Sequence, residues 1–128
     1  MNTALLHECA TRSHAGTITF PEVVMKLMSA GVESYHVDFY RGETTYYMPD
    51  GTSHIEPTPM PAAQIANDFS ASAMEEAVRG AQSGILKYPE FLKAAMAAGC
   101  VGYLTAITGK RVIYSGRTGD AHTEFFPS

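Results

Sequence analysis

Two histidine–glutamate pairs, His54-x-Glu56 and His122-x-Glu124, carry the side chains that bind divalent metals. Residues two apart on a strand point to the same side, roughly 6.6 Å apart along the chain. If a symmetry axis brought the two pairs together, two imidazoles and two carboxylates would converge on zinc or another divalent ion. The triplet H-x-E is common, however. Two solvated strand faces, or twin structural hydrogen bonds, fit the same residues, because a metal site needs convergence that spacing does not supply. No other cofactor is expected.

A second constellation is His36, Asp38, Tyr40 and Arg41, followed by Glu43. Alternation along an extended strand would put His36, Asp38 and Tyr40 on one face. His36 is the candidate for proton transfer, since an imidazole titrates near neutrality. Asp38 would orient it, and Arg41 would contact an anion. Tyr40, Tyr46 and Glu43 are the accompanying ligand-contact candidates. The residues 68 positions later are Leu104, Ala106 and Thr108, so one half is polar where the other is apolar. That divergence fits a site kept by one half, and equally a difference in solvent exposure. The tyrosines Tyr35, Tyr40, Tyr46, Tyr47, Tyr103 and Tyr114 pose the same choice. They read either as core residues with a hydroxyl reaching outward, or as the lining of an aromatic ligand groove. No GxSxG, P-loop or post-strand GxGxxG is present.

The elements that must position these residues are written twice. Residues 8–59 set against 76–127, offset by 68, share 13 identities in 52 positions, where chance would give roughly three. Matches include Pro21/Pro89, Glu22/Glu90, Gly31/Gly99, Tyr35/Tyr103, Tyr46/Tyr114, His54/His122 and Glu56/Glu124. This is the mark of an internal duplication. Two copies are too few for a solenoid, so two half-domains about a pseudo-two-fold axis are expected.

The first copy opens with a helix near residues 3–14. Thr19-Phe20-Pro21-Glu22 is a capping box with Pro in the first turn, and Val23, Val24, Leu27 and Met28 follow at helical spacing until Gly31. The second copy has Lys87 at the cap position, which predicts a weaker cap. After each glycine the period changes to two. Strands joined by turns at Arg41-Gly42, Pro49-Asp50-Gly51, Gly109-Lys110 and Gly116–Gly119 follow, too closely spaced for parallel crossovers. Pro57, Pro59 and Pro61 make a stiff connector over 57–61, one further helical turn is expected within 62–69, and Ser72–Glu75 restarts a helix. The expected architecture is a single α+β domain over 1–128, with half-repeats of about 3–59 and 71–127. It has two layers, an antiparallel sheet with helices on one side, in the order α-α-β-β-β twice.

A chain of 128 residues, 45% apolar and 17% charged, can bury a core as one domain. Its net charge of −4, with no basic run, argues against nucleic acid and acidic membrane surfaces as partners. Residues 1–14 lack the pattern of a signal peptide and no window is apolar enough to span a bilayer, so a cytoplasmic location is expected. Cys9 and Cys100 have no CxxC spacing and read as two buried thiols in a reducing compartment.

In GTITFPE, AGVESYHVDFYRGETTYYMPDG and YPEFLKAAMAAG the chain resembles the YbcV-like family of small bacterial proteins of unknown function, sometimes labelled phage envelope protein. The resemblance covers nearly the whole chain and is most specific from Gly31 to Gly51. It implies a compact α+β domain, with no agreed activity and no catalytic residues to carry over. The leading expectation is a soluble small binding or interaction protein. The alternative is a small enzyme using the His36/Asp38 face, with a metal as an option. A homodimer through a strand edge or a tyrosine face is the third.

Overall fold

The computed structural model describes residues 1–127. Its elements are α1 (Thr3–Ala15), α2 (Phe20–Ser29), β1 (Ser34–Asp38), β2 (Glu43–Tyr47) and β3 (Ser53–Pro57), then α3 (Ala71–Gln82), α4 (Tyr88–Ala97), β4 (Cys100–Ala106), β5 (Arg111–Gly116) and β6 (Ala121–Phe125). The order is therefore α-α-β-β-β, written twice. All neighbouring strands are antiparallel, in one six-stranded sheet ordered β3-β2-β1-β4-β5-β6.

The helix boundaries follow from local chemistry. At α2 the Thr19 side chain accepts from the Glu22 amide while the Glu22 carboxylate accepts from the Thr19 amide, completing the capping box. At α4 only half of this survives. Glu90 accepts from the Lys87 amide at 3.2 Å, and a lysine has no acceptor to return the bond. Both helices stop at a left-handed glycine, Gly31 (φ 81°) and Gly99 (φ 88°).

Strand register decides which side chains share a face. His54, Tyr46, Tyr35, Thr105, Val112 and Glu124 stand in line across the six strands. The adjacent line on the same face is Glu56, Thr44, Val37, Tyr103, Tyr114 and His122. The helices touch the sheet on this face. Helix α4 does so through Tyr88 and Phe91 on Tyr103, α1 through His7 on Glu56, and α3 through Arg79 on Glu124. Leu6, Leu27, Met74, Leu92 and Ala95 fill the layer between, each 0% exposed. The opposite sheet face carries His36, Leu104, Ile113 and Ile55, which are half-buried or exposed.

Residues 62–69 do not form the expected helical turn. The segment's amides are used elsewhere. Ala66 and, just beyond, Ser70 donate to the Met96 and Ala98 carbonyls at the end of α4. These bonds satisfy carbonyls that a helix end leaves open, and they hold the connector extended along it.

Candidate ligand cavity

Alternation along β1, β2, β4 and β5 turns Tyr35, Tyr46, Tyr103 and Tyr114 toward the helices. Their rings form a chain across four strands. Tyr46 lies 5.7 Å from Tyr35 (centroid to centroid), Tyr35 lies 6.4 Å from Tyr103, and Tyr103 lies 5.4 Å from Tyr114. These spacings suit tilted and edge-to-face aromatic contacts.

Above this floor is a cavity of about 600 Å³, walled by Val23 of α2, Val78 of α3 and Tyr88 and Phe91 of α4. Its volume falls within the ~300–1,000 Å³ typical of sites for small organic ligands. The α1–α2 and α3–α4 loops form its mouth, where His14, Thr17, Thr19 and Lys87 are exposed. Phe20, 39% exposed, meets Phe126 edge-on at 5.4 Å beside this opening.

Polar groups in the cavity are few. The Tyr88 and Tyr103 hydroxyls bond each other at 2.6 Å, and those of Thr44 and Thr58 at 2.5 Å. The Tyr46 and Tyr114 hydroxyls have no hydrogen-bond partner among the described residues, although the two residues are only 4% and 7% exposed. Thr105 Oγ1, beside Tyr35, is the one side-chain polar atom among the described residues that is fully buried without a partner. Burial raises the titration of all these tyrosines, with Tyr35 pushed up to about 12, so they are neutral phenols at physiological pH.

The four metal-ligand candidates do not converge. His54 and Glu56 lie on β3 and His122 and Glu124 on β6, at opposite edges of the sheet. Five strand spacings separate them, on the order of 24 Å. Each carboxylate is closed locally instead. Glu56 accepts from His54 Nε2 at 2.5 Å and from His7 Nδ1 at 2.7 Å. Glu124 accepts from His122 Nε2 at 2.5 Å and from Arg79 at 3.0 Å. Burial alone would raise both carboxyls, but these hydrogen bonds outweigh it and hold both below the ordinary glutamate range. An ionised carboxylate only accepts, so the imidazole nitrogens facing it carry protons, not lone pairs for a metal. Among the described residues no group of three or more His, Cys, Asp or Glu is arranged to hold a metal ion.

The His36 constellation is also not assembled. Strand β1 ends at Asp38, so Tyr40 lies in the following turn and not on the shared face. Asp38 accepts from the Tyr40 and Arg41 amides at 2.9 and 3.1 Å, which makes it a turn-stabilising residue. Arg41 pairs with Glu43 at 3.0 Å on the surface. His36 is half-buried over Gly102, with no side-chain hydrogen bond among the described residues. Of the three ligand-contact candidates only Tyr46 lines the cavity. Tyr40 borders a separate surface hollow, and Glu43 falls on the opposite sheet face.

Tyr88, Phe91 and Thr44 belong to the cavity and escaped the reading of the sequence, as did the roles of His7 and Arg79. Tyr88 is the counterpart of Phe20, and the tyrosine next to Pro89 was the available signal. The pairings of His7 and Arg79 depend on helix placement and leave no local trace.

The chain matches no protein-family model and no curated protein sequence.

Proposed function

We propose that this chain is a small binding protein whose ligand occupies the tyrosine-floored cavity between sheet and helices. The observation that carries this reading is a space of about 600 Å³ over buried aromatic rings, open to the surface between two loops. A side-chain layer that served only as core would be close-packed, with few voids larger than a water molecule. The mostly apolar lining with a few fixed hydroxyls is the usual make-up of a small-molecule site.

The reading is tested with an anilinonaphthalene dye that fluoresces in apolar surroundings. Saturable binding to the native chain is expected, and Val112→Phe, which fills the cavity floor, should abolish it without lowering the melting temperature. Unchanged dye affinity in a folded Val112→Phe protein would refute the reading.

We also infer that the two halves descend from one duplicated unit, related by a pseudo-two-fold axis between β1 and β4. Supporting this, Tyr35 pairs with Tyr46 and, 68 residues on, Tyr103 pairs with Tyr114. Tyr46 faces His54 as Tyr114 faces His122. Gly42 (φ 64°) and Lys110 (φ 53°) are both left-handed at matching turns. Membership of the YbcV-like family is proposed on the segments quoted above. A reducing cytoplasmic location suits two free, buried thiols, Cys100 being raised by burial to about 11. No helix of the described residues is long and apolar enough to cross a membrane.

A further inference from the structure

Resting on the cavity reading, we propose that the ligand is an uncharged, mainly apolar molecule with a hydrogen-bond-accepting oxygen at each end, one for Tyr46 and one for Tyr114. These two residues are more than nine-tenths buried, line the cavity, and have hydroxyls that are unpaired among the described residues. Each phenol brings one proton that needs an acceptor once a ligand displaces water from the cavity. Tyr88 and Tyr103 are committed to each other and offer less.

The strand order sets how far apart the two side chains are rooted. Strands β1 and β4 lie between β2 and β5, so the Tyr46 and Tyr114 backbones stand three strand spacings apart, about 14 Å. The rings of Tyr35 and Tyr103 fill the interval, which calls for a flat apolar middle. Charge selects against ions. Among the described residues the one carboxylate in the wall, Glu124, is satisfied by His122 and Arg79, while Lys87 and His14 stay at the exposed mouth. A cation or carboxylate carried to the floor would lack a counter-ion.

The test uses the full chain and three probes in calorimetric titrations: biphenyl, biphenyl with an acetyl group at each end, and biphenyl with a carboxylate at each end. The diketone should bind about tenfold tighter than biphenyl, and the dicarboxylate more weakly than either. Tyr46→Phe and Tyr114→Phe should each narrow the preference for the diketone over biphenyl severalfold, with circular dichroism and the melting curve certifying that the variants fold. Equal affinities of diketone and biphenyl would overturn the acceptor proposal while the cavity reading stands. No binding of either would overturn both. If a variant fails to fold, the ranking of the three probes on the unmodified chain decides alone.

Discussion

His36 stands directly opposite Leu104 on the two central strands of the sheet, and the two residues are 68 positions apart. Two antiparallel strands related by a two-fold axis must place one residue opposite its own counterpart. This rung meets that condition at the same offset that aligns the two halves of the sequence. The pair sets an imidazole against an aliphatic side chain on the sheet face away from the helices.

That pairing makes His36→Leu a sharp test of the alternative catalytic role for His36. A cross-strand apolar pair contributes about 0.2–1 kcal/mol, so the variant should be as stable as the parent or slightly more so. Ligand affinity should be unchanged, because His36 and the cavity lie on opposite faces. Loss of binding in a folded His36→Leu protein, measured by the same dye titration, would return function to the His36 face.

The two equivalent helix starts differ in one hydroxyl. Thr19→Ala should cost about 1 kcal/mol in urea denaturation, by removing the acceptor for the Glu22 amide. Lys87→Thr should gain a few tenths to 1 kcal/mol by supplying the missing half of the box. A destabilised Lys87→Thr would mean that the packing of Lys87 against Gly16 outweighs the cap.

Gly99 and Gly51 have nearly the same backbone angle, 88° and 89°, in different surroundings. A methyl group at Gly51 meets nothing, whereas at Gly99 it would overlap the Asp68 carbonyl and the Phe69 backbone. Gly51→Ala should cost about 1–2 kcal/mol from the left-handed conformation alone. Gly99→Ala should cost a further ~1–3 kcal/mol from the overlap. Equal costs in chemical denaturation would mean that the connector does not press on the end of α4.

Acid stability tests the two carboxylate clasps. Glu56, faced by His54 and His7, and Glu124, faced by His122 and Arg79, both titrate below an ordinary glutamate. Their contribution is therefore fully present above the unfolded value of about 4.3 and is lost as pH falls through the lowered native values. Glu56→Gln and Glu124→Gln should lower the melting temperature at neutral pH. Each should also flatten its fall below about pH 4.3. An acid limb parallel to that of the parent would show that the clasps contribute no pH-dependent stability.

The strand order within each half, the antiparallel pairing, the capping box and its weaker twin were all legible, because each rests on residues close in sequence. Strand parity also separates Tyr46 and Tyr114, which face the helices, from Tyr47, which does not. Relations that cross the sheet were not legible. H-x-E spacing shows that His54 and Glu56 share a face, but the joining of β1 to β4 is what sends β3 and β6 to opposite edges. Likewise Asp38 ends its strand and turns to the Tyr40 and Arg41 amides, a competition for hydrogen bonds that alternation along a strand does not reveal. The cavity itself was illegible, since its volume depends on how far four helices stand off the tyrosine floor.

Methyl NMR during a biphenyl titration tests the cavity most directly, because it reports which face the ligand touches. Saturable shifts are expected at Val23, Val37 and Val112, which line the cavity, with Ile55, Leu104 and Ile113 on the opposite face unmoved. Shifts confined to Ile55, Leu104 and Ile113, or none at any methyl, would contradict a ligand site between the sheet and the helices.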